Sequence, residues 1–332
     1  MAVTIRDVAR RAGVSASTAS RAFTLSGPVD PETLERVRQA AEELGYARNN
    51  WASSLRGGST KKLAMIVPDL TNPFFADLVR GAQARAHELG YLVLVADTDD
   101  DPRAESEMLE SFADRVDGSL LCTPRTPEDQ LGSLTSQGPT VLLHHTSDDV
   151  PYVISDVAQG VGLLVDNLVA LGHRDIAYLD GPQESWSAQL RRTALDALDL
   201  PPGVAIRTVG QVPARFEGGV AGGDLVVASG ATAVLAFNDV VALGLLHRLA
   251  ARGVRVPGDV SVVGFDDVPV AAMATPALTT VAQPLVSSAR AGVDMLVDLI
   301  EGRPVPDRAV VLPTHLVVRQ STRAVAAPER AA

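Results

Sequence analysis

Two sets of residues in this chain have types and spacing suited to recognition chemistry. The first lies in "VSASTASRAF", residues 14–23, where Ser15, Ser17, Thr18, Ser20 and Arg21 crowd together. Hydroxyls bond phosphate oxygens or base edges, and a guanidinium offers a two-pronged donor that matches guanine. Ala16, with its short side chain, lets the backbone come close. The second set is dispersed: Asp69 and Asn72 after "MIVP", His145 after "VLLH", Asn238 and Asp239 after "VLAF", and Asp266 after "VVGF". Carboxylates and amides in such positions supply both donors and acceptors, as a polyhydroxylated or similarly polar small molecule requires. Each also has a plainer reading as a helix cap. Asn72 precedes Pro73, and Asp239 heads "VVALGLLHRLAARG", so Asp239 reads mainly as a cap, with ligand contact left open.

Catalytic patterns are missing. The sequence has no Gly-x-Ser-x-Gly elbow and no Walker loop, and no dinucleotide-type glycine motif follows the first apolar run of the body. His144 and His145 have neither i, i+4 spacing nor a CxxC partner, which argues against zinc. No catalytic residue, metal ligand or cofactor is therefore expected.

The first set needs helices to hold it. Thr4 with Asp7 reads as an N-terminal cap, and Ile5, Val8, Ala9 and Ala12 recur at helical spacing. Gly13 stops that helix. Ser15 caps a second one, from about Ala16 to Phe23. "SGPVDPE" is a turn with Asp30 as cap and Pro31 at the first helical position. A third helix, "PETLERVRQAAEELGY", has Leu34, Val37, Ala41 and Leu44 on one stripe and ends at Gly45. Helix, tight turn, helix and supporting helix make a helix-turn-helix, whose second helix fits the DNA major groove; the same arrangement also serves as plain packing.

Charge is divided unevenly. Residues 1–62 hold ten Lys and Arg against six Asp and Glu, a net +4, while the whole chain of 332 residues carries −11, leaving −15 elsewhere. A basic head on an acidic body suits a polyanionic partner for the head alone, or else a solvated helical surface.

The second set needs a scaffold of another kind. "KLAMIVPD", "YLVLVAD", "GSLLCT", "TVLLHH", "YVISD", "IAYLD", "TAVLAFND" and "VSVVGFDD" read as strands. They alternate with amphipathic helices such as "PFFADLVRGAQARAHELG" and one near residues 104–112. This is the α/β signature of doubly wound parallel sheets, in which ligands sit at the carboxyl ends of strands. The composition, 46 % hydrophobic and 21 % charged, is that of a globular chain, and its length suggests about two domains. Aromatics are 4 %, so Val, Leu and Ala must build the core. The single cysteine, Cys122, the lack of an apolar leader in "MAVTIRDVARR" and the absence of a long apolar stretch lead to the expectation of a cytoplasmic protein with no membrane partner.

"VTIRDVARRAGVSASTASRAF" followed by "VDPETLERVRQAAEELGY" resembles the DNA-binding head of the LacI/GalR family of bacterial repressors, and the likeness continues through "NNWASSLRGGSTKKLAMIVPD" to "LPTHLVVRQST". It implies a head over residues 1–48, a hinge helix and linker over 49–61, and a two-lobed body of the type I periplasmic-binding-protein kind over 62–323. Lobe 1 would take about 62–156 and 284–311, and lobe 2 about 157–283 and 312–323, with crossings near Asp156, Gln283 and Pro313. Residues 324–332 would form a disordered tail. The implied partners are a pseudo-palindromic operator DNA, a small-molecule effector (a sugar or sugar derivative foremost) and a second copy of the chain. The implied DNA-facing set is Thr4, Arg6, Ser15, Ala16, Ser17, Thr18, Arg21, Asn49, Ala52, Leu55 and Arg56. In it Leu55 wedges into the minor groove, with Ala52 on the same hinge face.

For the effector, the resemblance singles out Arg191 in "SAQLRR", Asn238, Asp266 and Gln283, which join Asp69, Asn72, His145 and the rings of Phe74 and Phe75. Core packing is the competing reading for at least one of those two rings. The chain departs from the family at Arg48, where a proline is usual before the hinge asparagine, at Trp51, and at His144–His145, where an aspartate is common. Phe216 or Trp186 stands in for the ring that usually stacks on the ligand. No leucine heptad follows Arg323, so the tetramer-forming tail of some relatives is not expected. The competing readings are a solute-binding protein with the same body, which the basic head opposes, and a DNA-binding protein with a vestigial body.

Overall fold

The computed structural model describes residues 5–24, 30–44, 59–127, 130–132 and 138–325. They form two compact units that divide between Thr60 and Lys61.

The first unit is three helices: α1 (Ile5–Ala12), α2 (Ala16–Thr24) and α3 (Pro31–Glu43). Its small core is Val8, Ala9 and Ala12 against Ala19, Ala22, Val37, Ala40 and Ala41. Gly13, at φ +68°, takes the left-handed turn that lets the Val14 amide bond back to the Ala9 carbonyl at 3.0 Å. The Ser15 hydroxyl accepts from the Thr18 amide at 3.0 Å and so caps α2. Asp30 does the same for α3, accepting from the Thr33 amide and hydroxyl, and these bonds lower its pKa.

The second unit opens with β1 (Lys62–Val67), α4 (Pro73–Glu88), β2 (Leu92–Asp97), α5 (Pro102–Phe112), β3 (Gly118–Cys122), β4 (Thr140–Leu143) and β5 (Tyr152–Ser155). It continues with α6 (Val157–Ala170), β6 (Asp175–Asp180), α7 (Trp186–Asp196), β7 (Ala205–Gln211), α8 (Phe216–Ser229), β8 (Ala233–Ala236), α9 (Asp239–Ala251) and β9 (Ser261–Val263). The last elements are α10 (Pro269–Met273), β10 (Thr280–Ala282), α11 (Leu285–Ile300), β11 (Ala309–Leu312) and β12 (His315–Val317).

One sheet runs β11-β5-β4-β3-β1-β2 and the other β7-β6-β8-β9, all pairs parallel; β10 and β12 make a separate antiparallel pair. Parallel strands bury both faces, so their apolar residues run continuously. Met65, Leu120 and Leu143 face α4 and α11, while their neighbours Ile66, Leu121 and Leu142 face α5. In the second sheet Leu179 and Val234 pack toward α8 and α9, and Ile176, Tyr178 and Leu235 toward α6. The edge strands β2, β7 and β11 are partly exposed, and "AIRTVGQ" of β7 lacks the apolar run of an inner strand.

The chain passes between the sheets at Asp156, at Gln283–Pro284 and at Pro313. The first and third passages are tied together: the Thr314 amide donates to Gln159 Oε1 at 2.8 Å, and its hydroxyl donates to the Asp156 carbonyl at 3.0 Å.

Helices α8 and α9 approach at backbone distance. A Cβ at Gly219 would lie 1.9 Å from the Val241 carbonyl oxygen, and one at Gly244 1.9 Å from that of Phe216. Gly219→Ala and Gly244→Ala should each destabilise the protein by about 2 kcal/mol or more through overpacking. Gly162→Ala, in α6, would meet nothing within 4 Å and should be neutral or stabilising by up to about 1 kcal/mol. Urea midpoints of the three variants check this; equal effects in all three would refute the close-approach account.

Candidate functional site

On α2, the Ser15 hydroxyl bonds those of Ser17 and Thr18 at 2.8 Å each. Arg21 leans back along the helix, its Nε donating to the Ser17 carbonyl at 3.4 Å and its Nη2 to the Thr18 hydroxyl at 3.5 Å. Ala16, Ser17 and Arg21 are exposed, whereas Thr18 is half-buried. Ser15 is exposed but also caps the helix. Nearby, Arg10 pairs with Asp7, and Arg11 pairs with Glu43. Thr4, Asn49, Ala52, Leu55 and Arg56 lie outside the described residues, as do Arg48 and Trp51. Arg6 belongs to α1, with its side chain outside the description.

The carboxyl ends of both sheets face a cavity of about 1130 Å³ between the lobes. Nine of the dispersed candidates line it: Asn72, Phe74, Phe75, His145, Trp186, Arg191, Asn238, Asp266 and Gln283. Asn72 caps α4, accepting from the Phe74 amide at 3.1 Å, and Pro73 holds the first helical position. Phe74 and Phe75 meet edge-on at 5.0 Å, and Phe74 meets His144 at 5.1 Å. Both phenyl rings are buried and still reach the lining. His145 follows β4 and Trp186 begins α7, so these rings come from opposite lobes; they lie 4.7 Å apart.

Arg191, on α7, forms the floor. Its guanidinium is sandwiched between Phe237 and Phe265, 4.4 and 4.3 Å from their centroids. Its Nη2 donates to Asp266 Oδ1 at 3.3 Å, and its buried Nε has no partner. Gln283 Nε2 donates to the same Asp266 oxygen at 2.7 Å. Burial raises the Asp266 pKa to about 6, against the opposing pull of Arg191 and the Gln283 bond. Asp266 has φ +125°, a backbone state that L residues seldom adopt, and the Asp266 amide bonded to the Val281 carbonyl at 2.8 Å helps to hold it there. Burial, and then the Arg191 charge, lower the pKa of His144 to about 4, so this ring is neutral near pH 7.

Three expectations change. The cap of α9 is Asn238, accepting from the Val241 amide at 2.9 Å, and not Asp239. Asp239 turns away, accepting from the Thr280 hydroxyl at 2.6 Å and the Val268 amide at 3.0 Å, and it is absent from the lining. Asp69 also leaves the cavity, because its Oδ1 is taken by the Thr71 amide and hydroxyl in the turn before α4. Phe216 starts α8 and packs on His247 at 5.7 Å outside the lining, leaving Trp186 as the ring at the cleft.

Other lining residues went unread. Arg125, after β3, donates through Nε to Asp100 at 2.9 Å and through Nη1 to the Thr123 carbonyl at 2.8 Å. Arg215 reaches from the N-cap position of α8 to Asp99 at 3.0 Å and Asp100 at 3.2 Å in the other lobe, with Asp69 3.8 Å away. Their signal was position: each follows the carboxyl end of a strand. Among the described residues no group of three His, Cys, Asp or Glu is placed to hold a metal ion.

Residues 4–49 match the model of "Bacterial regulatory proteins, lacI family", and residues 165–322 that of "Periplasmic binding protein-like domain". The HTH-type transcriptional regulator DegA of Bacillus subtilis is 32 % identical over 332 residues, covering 97 % of this chain and 98 % of its own length. The lac repressor dimer bound to operator and the anti-inducer ONPF matches with TM-score 0.86 and 29 % identity over 98 % of this chain and all of that one. The transcriptional regulator CelR in complex with cellobiose matches with TM-score 0.69 and 31 % identity over 96 % of this chain and 99 % of that one.

Burial and the nearby Asp266 charge raise the Asp239 pKa to about 7. A carboxyl raised above its unfolded value stabilises fully below the unfolded pKa and loses that contribution as pH climbs through the folded one. The stability of Asp239→Asn relative to wild type should therefore improve as pH rises from 4 to 7. His144, lowered and so opposite in sign, cancels in this difference. Paired urea titrations read it; a difference independent of pH means that Asp239 is ionised throughout.

Proposed function

Because the chain belongs to the LacI family of bacterial regulatory proteins, we propose that it acts as a ligand-gated repressor of transcription. Two heads of a homodimer read the half-sites of a pseudo-palindromic operator, each with α2 in the major groove and Leu55 of the hinge in the minor groove between them. A small polar effector, a sugar or sugar derivative, enters the cleft and shifts the equilibrium between two lobe arrangements. It gates DNA binding only through different affinities for those two states. The operator-bound dimeric lac repressor and the cellobiose complex of CelR support this reading. The observation that carries it is one chain joining a helix-turn-helix to a cleft where Arg191, Asn238, Asp266 and Gln283 converge. No helix among the described residues is long and apolar enough to cross a membrane, and the site of action in this reading is the cytoplasm.

A thermal-shift screen of sugars, polyols, nucleosides and purines finds the effector, because a true ligand stabilises by mass action. Operator affinity should reside in residues 1–60 and fall steeply with salt as Arg and Lys neutralise phosphates; operator binding by a fragment starting at Lys62 would overturn this. Arg21→Ala should cost about 1–3 kcal/mol and relax preference at one base pair per half-site. An unchanged motif after binding-site selection would make Arg21 a phosphate contact instead.

Arg191→Ala should abolish the effector response and leave operator binding intact. The Asp266 ion pair and the two flanking rings favour a second reading, in which Arg191 is structural. In that case melting temperature and DNA affinity fall together. Operator titrations with and without effector separate the two.

A further inference from the structure

The cleft is lined by three arginines and, among the described residues, no lysine. Each arginine is already committed. Arg125 holds Asp100, Arg215 holds Asp99 and Asp100, and Arg191 holds Asp266 between two aromatic faces. Four carboxylates share the lining: Asp100, Asp266, Glu184 and Glu217. Glu184 and Glu217 are exposed at its rim and have no ion-pair partner among the described residues. The ring of His144 adds no positive charge near pH 7.

An anion entering this site would have to break an existing ion pair or sit beside unpaired carboxylates. Of these pairs only Arg191–Asp266 is buried, so drawing Arg191 from it strands the Asp266 charge, and like charges brought together repel. A phosphate or carboxylate also brings acceptors alone. The floor asks for both kinds of partner: the Arg191 Nε donor is unpartnered, while both hydrogen bonds to Asp266 fall on Oδ1 and leave Oδ2 as an acceptor. A hydroxyl answers both, because it donates one bond and accepts others.

Resting on the ligand-gated reading, we propose that the cleft is a charge filter: it takes uncharged, hydroxyl-rich ligands and rejects their phosphorylated or carboxylated counterparts. Glu184 and Glu217 are its specificity-determining residues, and the committed arginines keep the floor from becoming an anion site.

The test uses the full-length protein and matched probes: ribose with ribose 5-phosphate, glucose with glucose 6-phosphate and glucuronate, cellobiose with cellobionate, and adenosine with its 5′-monophosphate. Calorimetry gives Kd, and release from an operator selected out of random DNA gives the response. For each uncharged probe that binds, its charged counterpart should be at least about 100-fold weaker. In the Glu184→Gln, Glu217→Gln double variant that counterpart should recover at least about tenfold. A charged probe binding as tightly as its uncharged partner overturns the filter. An unchanged ratio in the double variant removes the two glutamates from it. If a charged probe binds as tightly as its uncharged partner and alters operator affinity, the filter fails and the ligand-gated reading stands. If uncharged probes bind without altering operator affinity at any concentration, the gating reading fails while the ratios still judge the filter.

Discussion

Arg191 brings a guanidinium to the buried floor of the cleft, and the surrounding residues are arranged around that constraint. A buried guanidinium needs a counter-charge, and Asp266 supplies it. Asp266 does so from a backbone conformation with positive φ, which the β10 backbone and Gln283 help to hold. Phe237 and Phe265 cover the two faces of the guanidinium, offering cation–π contact without consuming its hydrogen bonds. The outcome is a rigid floor with polar groups still to satisfy, the condition under which a bound polar molecule is recognised by geometry.

The same requirement reaches into the second lobe's frame. Asp239 and Asp266 are two buried carboxyls, and the Asp266 charge adds to the cost of ionising Asp239. Asp239 accepts from Thr280 in β10 and from the amide before α10, so it fastens the segment that carries Asp266. Gln283 then begins the passage into the first lobe. Floor, latch and crossing are thus contiguous, which gives an occupant of the floor a short physical route to the segments that set the lobe angle. Across the cleft, any change of that angle must rearrange the Arg215 contacts with Asp99 and Asp100 and the ring contact between His145 and Trp186.

In the small head the buried core is alanines and valines, with Leu34 and Leu44 packed partly buried against it. Ser15 illustrates how tightly function and folding share residues there. Its hydroxyl caps α2 and also joins the hydroxyl cluster on the exposed face, so its structural role limits what it has free to offer a nucleic acid.

Local pattern made much of this legible. Gly13, Ser15, Asp30 and Pro31 are punctuation whose physics acts within a few residues. The inner strands of both sheets read directly because burial on both faces demands continuous apolar runs. The family likeness of the head rests on such short-range signals, and the likeness along the body named Arg191, Asn238, Asp266 and Gln283 as partners. What the chain could not disclose by itself was pairing at a distance. The edge strand β7 is half-exposed and lacks the inner-strand signal, and β10 and β12 are three residues each and exist through one another. Asp69 and Asp239 carry the right chemistry in the right sequence positions, yet Thr71, Thr280 and the Val268 amide take up their oxygens. Arg125 and Arg215 stand in loops without a motif and line the cleft because two sheet edges converge there. Composition and periodicity determined which residues are buried and which helices cap. Only the tertiary structure decided which polar groups remain unsatisfied, because that depends on neighbours brought from elsewhere in the chain.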